Sequence, residues 1–338
     1  MKHIPATLLL SLLALVLSIP PLTSFADDSL IIYSGRSDKF VKPVIAEFTR
    51  QTGINVTLHT GKSTALLNKL RIEGARTDAD LFLSNDAGNL QRGSDWGLFR
   101  AMTPSLVAPI NKRYRAADNT WVGLSARARV LVVNTQGPWA DKLDSVFDLA
   151  NPALDSKLGI TNSTNGSYIA GVTVYMLAAG KDKTRQWLQG MKANVHGKVF
   201  NKHRQIVKAV ASGKLQAGLV NHYYIYRHLD KYPDAPIKIV FPDQGKDGMG
   251  VAWNVAGIAI SKHTAKAALA EKLVAFLTST AGQKQFAEVN REYPVRADVA
   301  ASPMIPAAGS YRVADVPMSA LGKQRDATLD LIEEVGMP

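Results

Sequence analysis

The first hundred residues restrict the fold more than any other part of the chain, because hydrophobic period switches there at regular intervals. Leu30, Ile31, Ile32 and Tyr33 make an apolar run of the length of a buried strand. Ser34-Gly35-Arg36-Ser37 supplies a turn. Phe40, Val44 and Phe48 then recur at i, i+4 and i+8 as far as Gly53, a residue suited to the position just past a helix. Ile54, Val56 and Leu58 alternate with polar residues, Leu66, Leu67, Leu70 and Ile72 follow Gly61-Lys62-Ser63 in a second helical pattern, and residues 80–83 are again strand-like. Strand, helix, strand, helix, strand at this spacing predicts an α/β fold with parallel strands. Ligands in such sheets sit beyond the carboxyl ends of the strands, here residues 35–37, 59–63 and 85–86. Gly61-Lys62-Ser63 is not a phosphate loop, since the glycine that motif needs five residues before Gly61 is Val56.

A second α/β unit runs from about residue 134 to 232. Its strand at 159–161 ends in Asn162-Ser163-Thr164-Asn165-Gly166-Ser167, and a helix is expected over 168–179. Residues 188–202 read as a connection, 204–211 as a helix closed by Gly213, and 217–220 as a strand. Two extended apolar segments, 121–134 and 251–260, stand out. The first exceeds the usual strand length and is long enough to cross from one unit to the other. Helices are expected over 265–278, 283–289 and 327–335, and residues 242–250 form a polar loop.

The chain opens with Lys2 and His3, an apolar run over 6–19, Pro20-Pro21 and Ser24-Phe25-Ala26. This is the pattern of a signal peptide over 1–26, cleaved after Ala26, and it predicts a soluble exported, periplasmic product. No cysteine is present, which excludes disulfides, thiolate metal sites, iron–sulfur clusters and cysteine nucleophiles. Stability must come from the core, which a mature chain of about 310 residues can supply. The formal net charge is +12. No nucleic-acid motif accompanies it, so no nucleic-acid partner is expected. A positive chain does not attract cations, so any cation site depends on local ligands.

Those ligands are suggested by Asn221-His222-Tyr223-Tyr224, where adjacent phenols fall in the first turn of a helix that follows a strand. A helix N-terminus favours negative charge. A phenol with a pKa of about 10 nevertheless stays protonated at neutral pH unless a cation displaces the proton. The pair is therefore a candidate grip for a hard, highly charged cation; the alternative is ordinary half-buried aromatics with hydrated hydroxyls. Asn165, Gly166 and Ser167 would present backbone N–H groups to an anion, or else merely cap their helix. His59, His203 and His222 show no HExxH spacing and no GxSxG elbow occurs, so no catalysis is expected.

Read in order, the turn Tyr33-Ser34-Gly35-Arg36, Gln51-Thr52-Gly53-Ile54-Asn55-Val56, Gly61-Lys62-Ser63, Ala79-Asp80-Leu81-Phe82, Gly123-Leu124-Ser125-Ala126-Arg127-Ala128-Arg129-Val130, Asn221-His222-Tyr223-Tyr224, Glu292-Tyr293-Pro294-Val295-Arg296 and Leu331-Ile332-Glu333-Glu334 resemble the periplasmic ferric-iron-binding proteins of iron(III) ABC importers. The likeness spans essentially the whole mature chain. It implies a two-lobed α/β periplasmic-binding-protein fold of type II with two crossing hinge strands. The implied lobes are residues 27–127 with 254–300, and 128–253 with 301–338. It also implies capture of Fe(III) for an inner-membrane ABC permease by a monomeric protein. Tyr223 and Tyr224 would donate phenolates, and Tyr168 matches a third tyrosine of one branch. Ser37 and Asn85 stand where some relatives carry histidine and glutamate; Asp86 follows, one position off. Arg36 matches a branch in which arginine holds a synergistic anion such as carbonate or phosphate; otherwise it would pair with Asp38 or Asp80. Arg127 would neutralise a phenolate or the anion, or form a hinge salt bridge. Asn221 precedes the tyrosine pair. Two other readings remain open at this level: a metal-free receptor for an anionic solute such as a phosphonate or sugar phosphate, and a periplasmic hydrolase.

Overall fold

The first five elements form where the periodicity places them: β1 (Ser29–Ser34), α1 (Asp38–Thr52), β2 (Asn55–Thr60), α2 (Ser63–Glu73) and β3 (Leu81–Ser84). The structure, a computed structural model, describes residues 29–338. The expected leader and its cleavage point at Ala26 lie outside the described residues. Helix α1 buries Phe40, Val41, Val44, Ile45 and Phe48, and ends at Gly53 with φ +74°, whose N–H donates to the Thr49 carbonyl. Only glycine takes that backbone angle without strain.

The chain continues through α3 (Ala87–Asp95), α4 (Pro104–Val107), β4 (Trp121–Asn134), β5 (Leu158–Gly159), α5 (Gly166–Ala179), α6 (Lys181–Val195), α7 (His203–Ala211), β6 (Ala217–Asn221), α8 (His222–Leu229) and β7 (Ile237–Val240). It ends with β8 (Trp253–Ile260), α9 (Ala267–Thr278), α10 (Thr280–Asn290), α11 (Ala320–Lys323) and α12 (Arg325–Val335). The strands run in the order β2-β1-β3-β8-β4-β6-β5, with β7 also paired to β4. β1 is parallel to both β2 and β3, whereas β8 is antiparallel to β3 and to β4.

β4 joins the two halves. Its first part pairs with β8 as far as Ala128↔Trp253, and from Arg129↔Asn221 onward it pairs with β6 and then β7. All fourteen of its residues are buried. The return crossing lies alongside, where the Arg129 N–H donates to the Ala252 carbonyl at 2.9 Å. Helices α9 and α10 pack on α1 in the first lobe, α9 also on β8 and α10 on β4; α12 packs on α5 and α6 in the second, and α11 lies against α3.

Three local expectations change. Residues 188–195, expected within a connection, belong to α6, which buries Thr184, Trp187, Leu188, Met191 and Val195 along one face. Gly180, at φ +93°, separates it from α5. β5 holds two residues rather than three, and Thr161 makes a lone parallel bridge to Phe200. β7 was not anticipated; it adds to β4 at Leu131–Asn134.

Candidate metal and anion site

Strand β4 supplies the floor of the cleft between the lobes. Its side chains alternate, so Ser125, Arg127 and Arg129 share one face. All three are at most 3% exposed. The register of β4 against β8 slips between Gly123 and Ser125, the kind of irregularity that re-aims a side chain near a site. The Ser125 hydroxyl donates to Glu292 at 2.7 Å and accepts from Arg36 Nη1 at 2.9 Å. Arg36 Nη2 lies 2.8 Å from each oxygen of the Glu292 carboxylate. Both side chains of this ion pair are buried. Burial alone would raise the Glu292 carboxyl, but Arg36 and then Arg127 outweigh it and hold it below its usual range.

Arg36 was expected to hold an anion, or else to pair with Asp38 or Asp80. Its guanidinium is instead filled by Glu292 and Ser125, 256 and 89 residues away. Asp38 pairs with Lys42 at 2.7 Å, and Asp80 accepts from the Ile31 N–H at 2.9 Å. The guanidinium left without a partner on the cavity itself is that of Arg127, whose buried Nη2 has no hydrogen-bond partner; Arg129, off the cavity, bonds through Nη1 alone and leaves Nε and Nη2 unpartnered. Burial pulls its pKa down, opposed by the nearby Tyr223 phenol and Glu292.

The phenols approach from β6 and α8. Asn221, buried at the end of β6, donates from Nδ2 to the Tyr223 hydroxyl oxygen at 3.1 Å and to Ser167 Oγ at 3.3 Å, while its Oδ1 accepts from Arg129 Nη1 at 3.2 Å. The rings of Tyr223 and Tyr224 are 4.5 Å apart between centroids. Tyr223 also meets Phe40 of α1 edge-on at 5.8 Å, a contact between lobes, and Tyr224 stacks on His203 at 5.1 Å. Both tyrosines line a cavity of about 160 Å³ with Arg36, Arg127 and Glu292. Burial, then the neighbouring Tyr223, push the Tyr224 hydroxyl above the ordinary phenol range, so it is protonated at neutral pH.

Of the other expected residues, Ser37, Asn85, Asn165 and Ser167 reach this cavity. Asn85 Oδ1 accepts from Ser63 Oγ at 2.9 Å. Asn165 caps α5, its Oδ1 accepting from the N–H groups of Ser167 at 2.9 Å and Tyr168 at 3.3 Å. The capping alternative thus describes this turn, and those two N–H groups are taken. Gly166 lies beside the cavity rather than on it; a Cβ there would come 3.3 Å from Asp86 Oδ2. Asp86 is also off the cavity. It caps α3 through the Asn89 N–H at 2.9 Å and pairs with Arg325 at 3.6 Å. Tyr168 does not line the cavity that Tyr223 and Tyr224 share. It is 1% exposed, and its buried hydroxyl has no partner. Burial raises its pKa, offset in part by Arg129. The reason is helical geometry: Ser167 faces the cavity, so the next residue, about 100° further round, faces the core.

Glu292, His203 and Phe40 line the cavity without having been singled out as site residues. Glu292 carries one signal in the sequence, its place at the head of Glu292-Tyr293-Pro294-Val295-Arg296, one of the stretches that carry the family resemblance. His203 carries none beyond its place at the start of α7. Among the described residues no group of three or more His, Cys, Asp or Glu is placed to hold a metal, so a metal here would depend on phenolate oxygens.

Residues 44–312 match the bacterial extracellular solute-binding proteins. The chain is 28% identical over 313 residues to the major ferric iron-binding protein of Neisseria meningitidis serogroup B, covering 91% of this chain and 93% of the relative. It superposes on the ferric binding protein from Campylobacter jejuni with a TM-score of 0.85 at 25% identity, covering 91% of this chain and 100% of that one. A Trichodesmium protein in complex with iron and citrate ligands matches with a TM-score of 0.80 at 28% identity, covering 92% of this chain and 100% of that one. The fold is the two-lobed type II arrangement of periplasmic binding proteins.

Proposed function

The chain belongs to the family of bacterial extracellular solute-binding proteins, and on that premise we propose that it captures ferric iron in the periplasm and delivers it to an inner-membrane ABC permease. Proteins of this family are transport receptors, not enzymes. The observation that carries the reading is the pair Tyr223 and Tyr224, both facing one small cavity next to the unpartnered guanidinium of Arg127. Fe(III) is a hard ion that takes anionic oxygen donors, and two phenolates supply them. A cavity of about 160 Å³ is well below the usual size of an organic-ligand pocket, roughly 300 Å³ or more, and suits an ion with a small anion.

Charge supports a co-bound anion. Fe(III) held by two phenolates keeps one positive charge, and Arg36 with Arg127 exceed Glu292 by another. A divalent oxyanion such as carbonate or hydrogen phosphate cancels both. Arg127 is the residue we assign to it, with Ser37, Asn85, Asn165 and Ser167 as polar neighbours. The metal-free receptor for a phosphonate or sugar phosphate loses support because Arg36 is committed to Glu292. In the iron reading Tyr168 is a core residue and not a ligand.

A visible titration tests this. Iron-free protein receiving Fe(III) with carbonate, phosphate or citrate should develop a phenolate-to-iron absorption band at one equivalent, and Arg127→Ala should weaken the binding most where the anion is scarce. A colourless protein that binds phosphonates stoichiometrically would overturn it.

A further inference from the structure

A second cavity, of about 370 Å³, opens on the other side of Tyr224. Its walls are basic. On α7, Arg204 and Lys208 stand one turn apart; on α8 and just beyond it, Arg227 and Lys231 repeat the same i, i+4 spacing. Lys39 of α1 faces them from the first lobe. No Asp or Glu lies on this wall, and none of the five cations forms an ion pair among the described residues. Lys39 is held below the usual lysine range by burial, then by Arg227, Arg204 and Lys202. Arg227 is braced across the lobes, donating to the Val289 carbonyl at 2.8 Å and lying 4.7 Å from the Phe40 ring centre. Closing the lobes therefore gathers like charges from both sides, an arrangement that is unfavourable unless something negative sits between them. The ring of Tyr224 lines this cavity and the inner one alike.

We propose that this outer cavity binds the anionic part of a ferric chelate, a small multivalent oxyanion of the polycarboxylate or polyphosphate class, while its iron is presented to Tyr224 and Tyr223. The guest's identity rests on the iron reading of the inner cavity; the anion site itself does not. Cations on both lobes then hold one anion, so the chelate that brings the iron also relieves the repulsion opposing closure. The volume exceeds that of the inner cavity more than twofold, which gives room for a chelator that the inner one excludes.

The test uses Lys208 and Lys231, both exposed and neither at the tyrosine pair. Calorimetry on iron-free protein measures citrate and tripolyphosphate binding to wild type, K208Q/K231Q and K208E/K231E. Affinity is expected to fall in that order, by about tenfold or more overall, and loading from ferric citrate followed at the visible band should slow by about tenfold in K208E/K231E at low salt. Loading from iron(II) oxidised in bicarbonate should reach the same band in all three proteins. Equal affinity for both anions across the three overturns the proposal. So does a difference seen only with phosphatidylglycerol vesicles, which would make the patch a membrane contact. If no band develops in any protein from either source, the iron reading fails, while calorimetry still decides the outer site.

Discussion

At the scale of single residues, the site separates groups that touch the cavity from groups that hold them. Tyr223→Phe and Tyr224→Phe should each abolish or strongly bleach the visible band in an iron titration. Asn221→Ala removes the donor that orients Tyr223, and should weaken iron binding by roughly 10- to 100-fold, the usual effect of losing an outer partner of a metal ligand. Tyr168→Phe should leave the band in place, because its hydroxyl lies in the core; a shifted band would return Tyr168 to the ligand set. Glu292 has a structural duty that is measurable without iron. Glu292→Gln leaves Arg36 and Arg127 buried with their shared counter-charge removed, and breaking such a pair costs about 3–5 kcal/mol. Urea unfolding of the iron-free variant should show that loss; an unchanged midpoint would mean the cleft rehydrates freely.

At the scale of elements, α8 is pinned as well as started by its first residue. His222 Nδ1 accepts from the Ala128 N–H at 3.2 Å, so the proton resides on Nε2, which donates to the Arg291 carbonyl at 2.8 Å. One ring thus ties the start of α8 to the hinge of β4 and to the first lobe. Burial lowers its pKa to about 4, against the hydrogen bond to Arg291. The unfolded chain takes up this proton near pH 6.5 and the folded chain only near pH 4, so stability is full above the first value and falls as pH drops between the two. The contribution lost is about 3 kcal/mol. A stability profile of the iron-free protein should fall across that window, and His222→Gln should flatten it; parallel profiles would remove His222 as the cause. Elements with strong period were legible from sequence, as α1 and β4 show. Helix α6 was not, because its polar start, Lys181-Asp182-Lys183, hides the stripe of Trp187, Leu188 and Met191 that its packing against the Val146 to Ala150 turn creates.

At the scale of the whole molecule, the cavity is assembled where the two lobes meet along β4 and the strand beside it, and we propose that cargo binding closes them. The cavity takes Arg36 and Phe40 from one lobe, the tyrosines from the other, and Arg127 from the crossing between them. Anything that binds only this arrangement stabilises it by mass action. Iron with an anion at one hundred times its dissociation constant should add about 2.7 kcal/mol, raising the thermal midpoint by roughly 4 °C for a chain of this length. Iron without a divalent anion should raise it less, and equal shifts would argue against the anion's part in closure.

What the sequence determined by itself was local: the strand–helix alternation, the length of β4, the tyrosine pair in the first turn of α8 and the absence of any thiol. These follow from nearest-neighbour spacing, which a chain carries along its length. Only the tertiary structure decided which polar groups meet. It gave Arg36 to Glu292 and left Arg127 open, turned Tyr168 into the core, made Asn165 a cap, and set five cations from two lobes round one outer cavity. Such pairings join residues up to 256 positions apart, and a charge finds its partner through how lobes pack rather than through its place in the chain.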